Sequence, residues 1–136
     1  MKSFLKAKFN TDEDVRFELF YTPAKDYYTL RCLNKNQEMG FLTFQINEAN
    51  AWLYYVSTHP QYRHRGVGLA LLAVFEKYVF DNGVCRIEGK FYPENQFAKQ
   101  LYDKAGYSIE KDGYDTLVCK NIYENTHASI PEFEKV

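Results

Sequence analysis

Apolar residues recur at every second position through Val15, Phe17, Leu19 and Tyr21, with Arg16, Glu18 and Phe20 between them. This period of two predicts a β-strand. The preceding Thr11-Asp12-Glu13-Asp14 also suits the cap of a short helix, so two readings compete there. Tyr27 to Leu33 is rich in β-formers; the turn-prone Asn34 to Glu38 and then Gly40 to Ile46 follow, which predicts a hairpin. Ala51 to Ser57 predicts a further strand, ended near Pro60, which has no backbone donor. The rhythm then changes. Gly68 to Phe80 is apolar around most of a helical circumference and stops at Asp81-Asn82-Gly83, the pattern of a helix packed hard on a sheet. Val84 to Phe91 predicts a strand. Pro93-Glu94-Asn95 opens a second helix through Ala98, Leu101 and Tyr102, ending at Ala105-Gly106. Two short strands, Tyr107 to Glu110 and Tyr114 to Lys120, flank the turn Lys111-Asp112-Gly113, and Asn121 to Val136 reads as a polar tail. No repeat or linker interrupts the pattern, which predicts one domain over residues 1–136: a mixed sheet whose second half runs strand–helix–strand–helix–strand.

Length and composition agree with this. The chain has 136 residues, and its apolar fraction of 46% is enough to offset the entropy of ordering most of it. Seventeen Lys and Arg against eighteen Asp and Glu leave a formal charge of −1, which argues against a nucleic-acid partner, because that affinity comes from clustered cations. Twelve Tyr and eleven Phe suit strands and thick sheet–helix interfaces. Cys32, Cys85 and Cys119 are odd in number and widely spaced, so neither a disulfide framework nor a zinc site is expected, only reduced, half-buried thiols. The start, Met1 to Lys6, lacks the apolar core of a secretory signal, and Val67 to Phe80 is too short to span a bilayer. A cytoplasmic protein with no membrane partner and no metal is the expectation.

The candidate chemistry begins where the strand ending at Ser57 meets the first helix. Arg63-His64-Arg65-Gly66-Val67-Gly68-Leu69 places two glycines and three basic side chains at a helix start. Unpaired N–H groups and the positive end of the helix dipole can hold a phosphate there, and glycine permits close backbone approach. No Gly-Lys-Ser/Thr triplet follows, so this is not a P-loop, and Leu71 stands where a dinucleotide fingerprint needs Gly or Ala. Glycines that merely relieve packing remain an equal alternative on this segment alone.

A second segment, Asn95-x-x-Ala98-x-x-Leu101-Tyr102-x-x-x-Gly106-Tyr107, decides between them. Together with Arg63-x-x-Gly66-x-Gly68 and the strand end Thr58-His59-Pro60, in the same order and spacing, it resembles the GNAT superfamily of N-acetyltransferases over roughly residues 51–110. The resemblance implies an α+β, α/β-like fold: a mixed, mostly antiparallel sheet with two splayed parallel strands and flanking helices. It implies acetyl-CoA as co-substrate, with pantetheine along Val56 and Thr58, pyrophosphate on the backbone of His64 to Leu69 beside Arg63 and Arg65, and a polar contact from Asn95. Tyr102 matches the family's proton donor to the leaving thiolate, a role suited to a phenol with a pKa of about 10. Read as residues alone, Asn95 also suits a helix cap, and Tyr102 reads first as a core aromatic.

The general base stays open. Glu88 is the one carboxylate on the two strands expected to splay, and it reads first as a solvated surface residue; His59 and Glu48 are further candidates. Trp52, Tyr54 and Tyr55 read as strand side chains, some of which can line an acceptor pocket. The short stretch before Tyr27 leaves little room for the helices that wall the acceptor site in many members. The implied partner is an amine, either small and hydrophobic or on a peptide or protein, with a homodimer as one way to complete the wall. A CoA-binding module without transferase activity is the competing function.

Overall fold

The computed structural model describes residues 4–10, 15–123 and 134–135. In chain order these form β1 (Phe4–Asn10), β2 (Val15–Thr22), β3 (Tyr27–Asn34), β4 (Gln37–Asn47), β5 (Asn50–Thr58), α1 (Val67–Asp81), β6 (Arg86–Phe91), α2 (Gln96–Lys104), β7 (Ser108–Asp112), β8 (Asp115–Asn121) and β9 (Glu134–Lys135). One sheet holds all the strands in the order β7-β8-β6-β5-β4-β3-β2-β1-β9. Every pairing is antiparallel except β5 with β6, which are joined through α1. The mixed, mostly antiparallel α+β architecture expected from the sequence is therefore present.

Tight turns set the meander. β3 and β4 close through Lys35-Asn36, both at positive φ (50° and 70°), the twist that two-residue hairpins favour. The β7–β8 turn is Gly113-Tyr114 rather than Lys111-Asp112-Gly113, because Asp112 still pairs with Asp115 and the positive φ falls on Gly113. β6 starts at Arg86, two residues later than expected, since the Val84 N–H still bonds back to Val79 at the end of α1. Two strands are additional to those expected. β1 carries Leu5, Ala7 and Phe9 in alternation with Lys6, Lys8 and Asn10, and β9, in the segment expected as a tail, pairs with it at Ala7 and Lys8. The helix alternative at Thr11 to Asp14 lies outside the described residues; β2 itself is a strand.

Both described helices lie on one face of the sheet. Leu19, Leu30, Leu42, Phe44 and Leu53 line that face beneath Leu71, Leu72 and Phe75 of α1, all but fully buried. The Phe44 and Phe75 rings meet edge to face at 4.7 Å. α1 also buries two charges. Glu76 accepts from Tyr107 Oη and Lys120 Nζ, both at 2.9 Å, and Lys77 pairs with Asp81 at 2.6 Å. Lys120 also donates to the Ala105 carbonyl, so one buried carboxylate ties α1 to β8 and to the end of α2. The cysteines differ from uniform half-burial: Cys32 is buried, Cys119 is intermediate and Cys85 is exposed.

Burial pushes the Cys32 thiol up to about 12 and the Tyr78 phenol up to about 12, and raises Tyr107 well above the usual phenol value, where the neighbouring Glu76 adds to the effect. These groups keep their protons in the fold, whereas the unfolded chain releases them from about pH 8.5 to 10. Above that range the unfolded state binds fewer protons, so stability falls as pH rises. The denaturation midpoint should stay level to about pH 8 and decline between pH 9 and 12, less steeply in Cys32→Ala. A midpoint unchanged at pH 11 would contradict this account.

Candidate functional site

β5 and β6 pair only from Asn50–Arg86 to Leu53–Gly89. Beyond that point β5 continues to Thr58 along β4, and β6 continues to Phe91 along β8, with no pairing between them. The parting coincides with a bulge: Thr43 pairs with Tyr55 and Phe44 with Leu53, so Tyr54 is an extra residue. Parity changes there. Ala51 and Leu53 face the helices before the bulge, Val56 and Thr58 after it, and Tyr54 and Tyr55 are both left exposed. Gly89 sits at the last paired position, where a Cβ would lie 2.7 Å from the Leu53 carbonyl oxygen. The wedge between the strands is a cleft lined by Tyr54, Tyr55 and Val56 on one side and Lys90, Phe91 and Tyr92 on the other. Asn95, Ala98, Leu101 and Tyr102 form its back.

At its other end the cleft meets the start of α1, with Leu101 lining both spaces. His64 and Gly66 stand at positive φ (64° and 80°), and the first helical hydrogen bond is Ala70 N–H to the Gly66 carbonyl. No side chain caps this helix and no acidic residue occupies its first turn, so the N–H groups of Val67, Gly68 and Leu69 face the recess with positive potential. A Cβ at Gly68 would sit 3.0 Å from Leu101 Cδ1, so glycine lets α2 close against the helix start. Thr58 forms the floor. Its hydroxyl is buried and has no hydrogen-bond partner among the described residues. Arg63 lines the recess and stacks over the Phe97 ring at 5.3 Å; Arg65 lies over Tyr62 at 5.7 Å and does not line it. α2 adds Phe97, Gln100 and Lys104, which the sequence reading left out although their spacing of three and four marks one helical stripe.

The orphaned hydroxyl, the uncapped helix start and the cations fit a polyphosphate, and the unpaired edge of β5 fits an extended amide-bearing chain. This is the donor and acceptor set that coenzyme A requires.

Tyr102 is 3% exposed, held by the rings of Phe91 (5.7 Å) and Tyr107 (5.3 Å), and its hydroxyl takes no hydrogen bond from the described residues. Burial raises its pKa above the ordinary phenol value, so the proton is retained at neutral pH. Asn95 is both a cap and a cleft residue: its Oδ1 accepts from the Ala98 N–H at 3.0 Å, while its amide nitrogen is unengaged. Glu88 lies elsewhere. It pairs in register with Trp52 on the face opposite the helices, is 3.6 Å from Arg86 Nε, and lines a separate recess with Trp52 and Lys90. His59 follows β5 at the cleft end, whereas Glu48 occupies the β4–β5 turn at the far end of that strand. Among the described residues no helix is long and apolar enough to cross a membrane.

Known structures share this fold. The PaiA N-acetyltransferase from Thermoplasma acidophilum, solved in complex with coenzyme A, is 26% identical, with a TM-score of 0.67 over 71% of this chain. The present chain covers 61% of that protein's length. The putative acyl-CoA N-acyltransferase from Klebsiella pneumoniae (18% identity, TM-score 0.68, 75% of this chain and 77% of that one) has the same fold. So does the ribosomal-protein-S18-alanine N-acetyltransferase from Escherichia coli (20% identity, TM-score 0.60, 70% and 67%). The model of the acetyltransferase (GNAT) family matches residues 1–107, most of the sequence, and the chain belongs to that family.

Proposed function

We propose that this protein transfers an acyl group, acetyl in the simplest case, from coenzyme A to a primary amine by direct transfer with both bound. The observation that carries the reading is adjacency: the uncapped helix start lines one recess, the unpaired strand edge and the buried phenol line the next, and Leu101 borders both. Coenzyme A supplies the acyl group as a thioester. The backbone of His64 to Leu69 holds its pyrophosphate, with Arg63 beside it and Arg65 adding charge at the mouth. Val56 and Thr58 pair with its pantetheine arm, and the free amide nitrogen of Asn95 donates to it.

Tyr102 gives its phenolic proton to sulfur as the carbon–sulfur bond breaks and the amide bond forms, and regains a proton from solvent. A raised phenol pKa weakens the acid, but the same dry cleft raises the pKa of the thiol it protonates. The proton lost by the ammonium passes through water to Glu88, a carboxylate on the sheet face that the acceptor can approach. The placement of Glu88 outside the cleft favours a second reading, a CoA-binding module without turnover. The protein acts in the cytoplasm in either case.

Coenzyme A at 100 times its Kd should stabilise the protein by about 2.7 kcal/mol, read as a rise in Tm. Gly66→Val should abolish most of that rise, because a branched side chain is strained at φ 80° and crowds the phosphate approach. Unchanged binding by this variant would reject the assignment. Thr58→Val separates the two states of the site. Removing an unsatisfied buried hydroxyl should stabilise the free protein by about 1–3 kcal/mol while reducing the shift that coenzyme A produces. A destabilised free protein would show that the hydroxyl already has a partner. Finally, Tyr102→Phe should lower kcat by roughly 10²–10⁴ with the fold and coenzyme A affinity retained. Turnover within about threefold of wild type would leave Tyr102 as packing alone.

A further inference from the structure

The face of β3, β4 and β5 opposite the helices carries a second groove, open to solvent, with a volume of about 550 Å³, within the range of small-molecule sites. Tyr27 and Phe41 line it, together with Tyr54 and Tyr55. Those two tyrosines also line the coenzyme A cleft, so the bulge that exposes them joins the two spaces at one wall. That wall is fixed: Tyr54 Oη donates to Gln45, whose amide nitrogen donates to the Lys25 carbonyl at 3.1 Å. The charge pattern is one-sided. No carboxylate lines the groove, and the nearby Arg31 is already satisfied by Glu18 and Glu38. Lys25 lines the groove on the exposed β2–β3 turn and has no ion pair among the described residues.

Resting on the acyl-transfer reading above, we infer that this groove is the acceptor site and that its substrate is a small primary amine with a flat apolar body and an anionic group at its far end. The aromatic walls bury the body, the Tyr54–Tyr55 wall receives the amine next to the cleft, and Lys25 pairs with the anion. A polyamine is disfavoured because the site offers it no counter-charge. A purely hydrophobic amine leaves Lys25 unused.

The probes are 4-(aminomethyl)benzoate, 4-methylbenzylamine and spermidine, each with acetyl-CoA, read as thiol release. The benzoate should be preferred over 4-methylbenzylamine by about tenfold or more in kcat/KM, the scale of a charge-assisted hydrogen bond. Lys25→Met should bring that ratio to within about twofold of one, and Lys25→Glu should invert it. Equal rates with both ring amines, a preference for spermidine, or a ratio unmoved by Lys25→Met would overturn the inference. If no amine is turned over, saturation-transfer NMR on free and coenzyme A-loaded protein decides. Benzoate binding that is lost in Lys25→Met supports the site, and no binding refutes it. Failure of coenzyme A to raise Tm counts against acyl transfer itself, whereas coenzyme A binding without the amine preference sinks only this inference.

Discussion

The end of hydrogen bonding between β5 and β6 after Leu53 and Gly89 is the constraint on which the rest of the site depends. Parallel strands that kept pairing would bring Tyr54 and Tyr55 against Lys90 and Phe91 and leave no cleft. Two features prevent this. The extra residue at Tyr54 changes the twist and parity of β5, and Leu101 and Tyr102 of α2, with Phe91, fill the wedge from behind. Unpaired backbone on the two facing edges costs free energy unless water or a ligand satisfies it. The cleft is therefore a place where the fold leaves hydrogen bonds for another molecule to make.

The same economy holds at the start of α1. Among the described residues the helix has no side-chain cap and no first-turn carboxylate, and Thr58 buries a hydroxyl without a partner. Each omission destabilises the free protein by an amount comparable to a lost cap or hydrogen bond, roughly 0.5–3 kcal/mol. The far half of α1 is held in place, with Phe75 packed on Phe44 and Glu76 clamped to Lys120 and Tyr107. That clamp reaches the site. Tyr107 is held by Glu76 and in turn packs on Tyr102, so the buried carboxylate fixes the ring behind the phenol. Rigidity on one half of α1 supports unsatisfied polarity on the other.

Much of this was legible in the sequence, because periodicity and turn chemistry are local. The helices, the central strands and the glycine turn follow from local spacing, and the Asn95–Tyr107 segment from its resemblance to the family. The bulge does not. Trp52-Leu53-Tyr54-Tyr55-Val56 is apolar at every position, so a one-residue change of parity leaves no mark on its hydropathy. β1 does alternate, in Leu5, Ala7 and Phe9, but its pairing with β9 joins the two ends of the chain and has no local signal. The side of Glu88 is also a pairing property. Ile87 and Gly89 face the helices, which turns Glu88 toward Trp52 on the opposite face and away from the cleft that its sequence position suggests. Phe97, Gln100 and Lys104 acquire meaning only when α2 lies against the helix start, which Gly68 permits.

The two faces of the sheet consequently divide the work. Only four residues separate β1 from β2, too few for a helix that could cover the face opposite α1. Among the described residues, the groove on that face is lined by strand side chains and by Lys25 of the β2–β3 turn. Strand-borne side chains are placed by the register of the sheet rather than by a mobile loop, and they hold their geometry more closely. Tyr54 and Tyr55 belong to both spaces because the bulge presents two consecutive residues to the exposed side. A single inserted residue therefore does two things: it accompanies the loss of pairing along the β5 edge beyond Leu53, and it makes Tyr54 and Tyr55 a wall common to the cleft and to the groove on the far face.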